Sequence, residues 1–277
     1  MAYLFVGGSQ RTGTSLAQQL LCQLPNANPY LYEASYLRQL VSCYSETRNN
    51  FNRNHASYFG TVQSLRNFSS GVVRAFLENA SGRLGSPEHL ILKEPHLTLY
   101  WPWLFELIPE AMFLMMVRDP RDAIASMVQV GERQREIGQN YLFVNRDILQ
   151  LSRHFLSFYE PAFAVSDDEF RNQLAVVHYE KLVTDPVQTL SDIAGFTGLS
   201  FDQIDPFGEL DNGLVSVDAN ANSRMYAPWV TDVSGKKVSR QRIGNYAQVL
   251  TAAEVVIIER ECADFLEWFG YDRRAAS

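Results

Sequence analysis

The sequence predicts an α/β fold, a parallel sheet flanked by helices, on three observations. Short apolar runs alternate with amphipathic segments along the chain. The apolar runs are nearly continuous, as in parallel strands covered on both faces. The helical segments open and close on capping residues. No internal repeat, low-complexity tract or linker interrupts the pattern, so residues 1–277 are expected to form a single domain. With 46% hydrophobic and 20% charged residues over 277 positions, the chain can bury a substantial core, which excludes disorder and a disulfide mini-scaffold.

Residues 3–6, Tyr-Leu-Phe-Val, are the first strand candidate. A helix is expected over 14–24, where Leu16, Leu20, Leu21 and Leu24 fall at helical spacing and Pro25-Asn26 ends the run. Residues 30–85 read as further helices with a polar break at 46–54. Strand candidates follow at 89–92 and 111–117. Asp119-Pro120 sets a capping residue before a proline at the first helical position, opening a helix that carries Ile124, Met127 and Val128. The fourth strand candidate is 174–178, and Asp185-Pro186 repeats the helix start, with Leu190, Ile193 and Ala194 on one face and Gly198 beyond the end. Residues 200–248 lose periodicity, are rich in Gly, Asn, Asp and Ser, and read as a functional loop or lid. A capping box at Thr251 and Glu254 opens the last helix, which carries Val255, Ile258, Cys262, Phe265 and Phe269 and closes at Gly270. The strand order stays open.

Charge narrows the partners. Lys plus Arg number 24 against 31 Asp plus Glu, a net charge of −7, so no nucleic acid and no anionic membrane is expected as a partner, and an anionic ligand must be held by locally placed cations. Cys22, Cys43 and Cys262 give neither a disulfide framework nor a zinc spacing, and the five histidines lack ligand spacing, so no metal is expected. The longest apolar run, 111–117, is far short of the ~18–20 residues that cross a bilayer. With no charged leader ahead of residues 3–6, a cytoplasmic protein is expected. The sequons at Asn67 and Asn79 are read as chance.

Two constellations carry chemistry. Gly8-Ser9-Gln10-Arg11-Thr12-Gly13-Thr14-Ser15 joins the first strand to the first helix in the phosphate-loop spacing, with Thr14 where a nucleotide-hydrolysing loop has lysine. Glycines admit an anion to the backbone, the helix start supplies N–H groups, and Arg11 supplies charge. The missing lysine, and the lack of an acidic residue at any strand end, favour a metal-independent transfer over a kinase or ATPase. The second constellation is Arg118-Asp119-Pro120-Arg121 through Ser126. Arg118 ends a strand and Ser126 lies two turns into the next helix, so the two could share a second anion; a surface arginine and a helix-face serine would read the same on composition alone.

These motifs together resemble the sulfotransferases that use 3′-phosphoadenosine 5′-phosphosulfate (PAPS), which implies a P-loop nucleotide-kinase-like sulfotransferase fold. The segment from Val177 to Pro186, with Tyr179, is similar to a strand end of that family. The segment from Ser234 to Gly244 is similar to its late basic loop. The resemblance implies that Arg11, Thr12, Gly13, Thr14 and Ser15 hold the 5′-phosphosulfate, that Arg118 and Ser126 hold the 3′-phosphate, and that Tyr179 lies by the adenine. Lys236, Arg240 and Arg242 are candidate cations of the late loop, with Arg240 and Arg242 ranked as cofactor contacts.

Lys93-Glu94-Pro95-His96 is similar to the segment where the family places a lysine at the transferring group and, in one branch, a histidine base two positions on; here the histidine is three positions on. Glu33 matches the glutamate base of the tyrosylprotein-sulfotransferase-like branch, whose first loop also carries arginine. Glu33 and His96 therefore both stand as the general base, with the arginine-type loop favouring Glu33, and Lys93 is the electrophilic partner. The implied reaction moves a sulfuryl group from PAPS to a small-molecule or peptide hydroxyl acceptor, leaving adenosine 3′,5′-bisphosphate. A nucleotide-dependent kinase and a non-catalytic adenine-nucleotide-binding protein are the alternatives. The helices of 30–85 and the 200–248 segment are expected to wall the acceptor pocket, with Tyr32, Tyr36, Tyr44, Trp101, Trp103, Tyr226 and Trp229 biasing it towards an apolar or aromatic alcohol.

Overall fold

The computed structural model describes residues 2–210, 227–229 and 237–273. Four strands, β1 (Ala2–Gly7), β2 (His89–Lys93), β3 (Met112–Val117) and β4 (Leu174–His178), form one sheet in the order β2-β1-β3-β4. All three pairings are parallel. The expected fold class is the observed one, and the four strand positions differ from those read in the sequence by at most one residue at an end.

Alternation along the strands splits the core in two. Tyr3, Phe5, Leu90, Leu92, Phe113 and Met115 point to one face, and Leu4, Val6, Ile91, Leu114 and Met116 to the other, each face closing its own buried cluster. The first face is covered by α2 (Ser35–Asn49), α4 (Val62–Arg83), α5 (Trp101–Leu107), α6 (Pro120–Glu136) and α7 (Ile148–Ser157), with a one-turn α3 (Ala56–Phe59) between α2 and α4. The second is covered by α1 (Thr14–Leu21) and, beyond the short helices α8 (Glu160–Phe163), α9 (Asp168–Asn172) and α10 (Tyr179–Thr184), by α11 (Pro186–Thr197). The chain then passes through α12 (Tyr246–Val249), α13 (Ala252–Glu261) and α14 (Ala263–Trp268).

Four expectations need correction. Full coverage fails at β4, an edge strand whose Val176 is 38% exposed. The first helix stops at Leu21 and tightens into three-residue turns before Pro25, because proline ahead bars α-helix from the preceding residue. The polar break holds only Asn50; from Phe51 to His55 the chain winds as a π-helical turn. The last helix breaks at Cys262, where φ and ψ of −98° and 22° separate α13 from α14. Its capping box is present, with Thr251 and Glu254 each serving the other's backbone.

The order of strands positions the site. From β1 the chain crosses to β2 on one side, then returns over β1 to β3 on the other, so the crevice beyond the carboxyl ends of β1 and β3 is a topological switch point. The turns after these strands carry the two constellations. Among the described residues no helix is long and apolar enough to cross a membrane.

Candidate active site

Beyond β1, the turn from Gly8 to Gly13 is shaped by two glycines. Gly8 takes φ of 122°, and a Cβ there would lie 2.3 Å from the Met116 carbonyl oxygen. Gly13 takes φ of 92° at the start of α1, and a Cβ there would lie 2.6 Å from the Tyr179 ring. The turn is pinned from inside: Gly8 N–H donates to Thr98 Oγ1 at 2.9 Å, and Thr12 Oγ1 donates to the Ser9 carbonyl at 2.6 Å. Thr12 and Thr14 are buried, Gly13 half-buried and Ser15 exposed at the mouth. As at any helix start, the first-turn N–H groups of α1 have no intrahelical acceptor.

Arg11 adopts φ of 70°, unusual for a side chain with a Cβ. Its Nε donates to Ser126 Oγ at 3.0 Å, and Arg118 Nη1 donates to its carbonyl at 3.0 Å. Thus Ser126 is bonded to Arg11 rather than to Arg118, and the two constellations merge into one surface. Burial, followed by the charges of Arg118, Arg133 and Arg242, lowers the Arg11 guanidinium to about 10. Arg118 lies over the Tyr179 ring, 4.2 Å from its centroid, and its Nε is buried without a partner among the described residues. Ser9 Oγ, fully buried in the same turn, is likewise unpartnered. Tyr179 therefore stands between Gly13 and Arg118, and burial raises its phenol.

The second arginine of the Arg-Asp-Pro-Arg motif is used differently. Arg121 chelates Asp119, with Nη2 2.7 Å from Oδ2, and Nη1 reaches Glu259 on α13 at 2.7 Å. This network anchors the start of α6 to the C-terminal helices.

The late segment packs against these groups by backbone. Asp122 accepts the N–H groups of Gly244 at 2.7 Å and Tyr246 at 2.9 Å. Arg118 Nη2 donates to the Arg242 carbonyl at 2.7 Å, Arg11 Nη1 to that of Trp229 at 3.1 Å, and Arg133 Nε to that of Pro228 at 2.8 Å. Arg242 acts on Arg11 and Tyr179 electrostatically. Arg240 is turned elsewhere, donating to the Thr184 carbonyl at 2.6 Å from an exposed position. Lys236 lies outside the described residues.

Beyond β2, a second group assembles. The segment after α1 runs along the edge of β2: Asn28 takes the N–H and C=O of Ile91 with its side chain, and Ala34 N–H donates to the Lys93 carbonyl at 3.0 Å. Asn28 thus mimics a strand neighbour, and the segment delivers Glu33 to Lys93, with Nζ 3.1 Å from Oε1. Lys93 is buried while Glu33 is 46% exposed. The three-residue turn from Pro95 folds His96 back on Glu94, whose Oε1 accepts the His96 N–H at 2.9 Å and lies 3.3 Å from Nδ1. Burial works to raise the Glu94 carboxyl, but hydrogen bonds from His96 and Ser35 outweigh it and leave the group below its ordinary value. A carboxylate at Nδ1 puts the proton there and the lone pair on Nε2, the form a base requires.

Sequence reasoning missed Glu94, the cation Arg133, and Tyr159, whose hydroxyl donates to the Met116 carbonyl at 3.1 Å beneath the first turn. Of the expected acceptor-wall aromatics, Trp101 and Tyr44 are core side chains, 0% and 2% exposed. Trp103 packs on Tyr44, and Trp229 on Phe143. Tyr32 and Tyr36 are exposed beside Glu33, and Tyr226 lies outside the described residues. Also among the described residues, no three His, Cys, Asp or Glu side chains cluster in a way that could hold a metal ion.

Comparison with known proteins agrees with this architecture. Protein-tyrosine sulfotransferase 2 of Gallus gallus is 25% identical over 203 residues, covering 73% of this chain and 52% of that protein, so the chain spans about half the length of this curated relative. The sulfotransferase domain of the Synechococcus PCC 7002 olefin synthase has a TM-score of 0.59 at 16% identity, covering 99% of this chain and 96% of that one. The sulfotransferase domain from the curacin biosynthetic pathway has a TM-score of 0.60 at 14% identity, covering 98% of each. These likenesses identify the fold as the P-loop-like one expected of a sulfotransferase. The model of the Sulfotransferase family matches residues 4–203, and the chain belongs to that family.

Proposed function

We propose that the chain is a PAPS-dependent sulfotransferase acting on a small-molecule or peptide hydroxyl. The observation that carries this reading is Arg11, a guanidinium sunk in a glycine-shaped strand-to-helix turn, on which three further arginines exert the strongest charge effects. Such a cluster is costly unless an anion joins it. The Arg118 Nε and Ser9 Oγ, both without a partner among the described residues, fit a nucleotide bearing more than one phosphate.

PAPS, when bound, supplies an activated sulfuryl group on a 5′-phosphate leaving group. Thr12 to Ser15 and Arg11 bind its 5′ end, Arg118 and Arg242 its 3′-phosphate, and Tyr179 faces the adenine. Ser126 orients Arg11 and so acts between the two ends. Lys93 offsets the charge that grows on the bridging oxygen as its S–O bond breaks. The acceptor oxygen forms the new S–O bond, and its proton passes to Glu33 or His96. No step calls for a metal. Arg240, tied to Thr184, takes no part in this assignment.

Adenosine 3′,5′-bisphosphate should raise the melting temperature, and adenosine 5′-monophosphate should do so far less at equal concentration. Arg118→Ala should cost roughly 1.5–3 kcal/mol of bisphosphate binding. Equal affinity for the two nucleotides, or an unchanged dissociation constant in the variant, would remove Arg118 from the site. Mass-spectrometric screening of hydroxyl compounds and tyrosine peptides with labelled PAPS tests the transfer itself.

A further inference from the structure

His154 belongs to neither candidate base pair, yet it ties the base region to the anion turn. It lies on α7, with Nε2 2.9 Å from Gln10 Oε1. Gln10 directly precedes Arg11, whose φ of 70° is one that side chains bearing a Cβ seldom hold without support on both sides. Support on the far side comes from Arg118, donating to the Arg11 carbonyl, and from Ser126, accepting from Nε. On the near side, the Gln10 amide is held by His154.

The imidazole is itself fixed. It meets Phe158 edge-on at 5.0 Å and Phe143 at 5.8 Å between ring centres, and the His96 ring is 6.5 Å away. Burial, and then the neighbouring His96, lowers the His154 imidazole to about 4, so near neutral pH it is uncharged. An uncharged ring facing an amide oxygen carries its proton on Nε2 and donates.

We infer that His154 is a positioning residue of the donor site: through Gln10 it fixes the backbone that presents Arg11 to the 5′ end of the nucleotide. The inference rests on the proposed use of the turn for that 5′ end. It makes His154 selective in effect. Disturbing it should loosen the grip on a 5′-phosphate and spare the groups around Arg118.

Calorimetric titration of the full chain with adenosine 3′,5′-bisphosphate and with adenosine 3′-monophosphate tests this. His154→Phe keeps an aromatic ring between Phe143 and Phe158 but removes the donor. It should weaken the bisphosphate by about tenfold, the scale of one lost hydrogen bond, and leave the monophosphate within twofold. His154→Gln, which restores a donor, should recover most of the loss. In a Gln10→Met background, His154→Phe should add nothing. An unchanged bisphosphate affinity, an equal loss for both ligands, or additive losses in the double variant would each overturn the inference. If His154→Phe does not fold, Gln10→Met alone must reproduce the selective loss, and a wild-type affinity there is equally decisive against it. A wild-type chain that binds neither nucleotide would instead defeat the donor-site reading, and the inference with it.

Discussion

Lys93 and Glu33 are 3.1 Å apart, and His96 hangs from Glu94 next door, so the base region holds two proton acceptors, each with its own orienting partner. Their separation of partners lets substitution distinguish them. If Glu33 takes the proton, Glu33→Gln should lower kcat by ~10²–10⁴-fold with bisphosphate affinity nearly unchanged, while His96→Asn stays within a few-fold. The reverse pattern in acceptor turnover would assign the base to His96, and Lys93→Ala should be crippled under either outcome. At the anion turn, Gly13→Ala meets both the Tyr179 ring and a disfavoured φ. A loss of roughly 1–3 kcal/mol in denaturant unfolding is expected, with bisphosphate binding falling at least as far. Stability and affinity equal to wild type would refute the cradle. The anion turn was legible because strand, glycine, arginine, glycine and helix follow each other locally, whereas Lys93, Glu33 and His96 were legible only through the family resemblance. Glu94 was not, since only the turn from Pro95 brings His96 back over it. Nor was the bond from Arg11 to Ser126, which depends on how two turns from different strands meet.

The elements divide the same way. The strands were legible as apolar runs and the main helices by their caps, whereas the order β2-β1-β3-β4 rests on pairings that no local pattern encodes. The extended segment through Asn28 gave no signal, because its pairing with β2 is short and partly made by the Asn28 side chain in place of backbone. The late loop was legible as basic and irregular, but the residue that seats it is Asp122, in the first turn of α6. Burial holds the Asp122 carboxyl above its ordinary value, with Arg118 and the two N–H donors opposing. Asp122→Ala leaves those donors without their acceptor and should release the 240–246 turn. Hydrogen–deuterium exchange should quicken at Gly244 and Tyr246, and bisphosphate affinity should fall by about tenfold as the Arg118 contact to the Arg242 carbonyl loosens. Unaltered exchange at both amides would show that the turn is seated by something else.

At the scale of the whole molecule, the pair of Arg146 and Glu254 sets a measurable acid response. Arg146 hydrogen-bonds Glu254 and, against a smaller opposing effect of burial, holds its carboxyl at about 2, below the ordinary 4.5. A depressed carboxyl stabilises the fold fully above its unfolded pKa and loses that contribution as pH falls from about 4.5 through about 2. Glu254→Gln keeps a capping-box residue at its place but removes the charge. Its urea midpoint should therefore lie below wild type at pH 6 and converge on it towards pH 2; parallel curves would refute the assignment. The sheet order has a further consequence, for how the chain is made. Of the four strands, the ribosome delivers an interior one first, yet Leu4 must wait for Ile91 on one side and Met112 on the other. At roughly 5–20 residues per second, Leu4 precedes Met112 by on the order of 5–20 s. Until β2 emerges β1 has no strand beside it, and until β3 emerges it stays an open edge, so nascent chains arrested before β3 should be held by chaperones and cleaved readily by protease. Chains arrested well after β4 should shed both properties together, because the strand that carries the anion turn becomes an interior one only when its later neighbours have emerged.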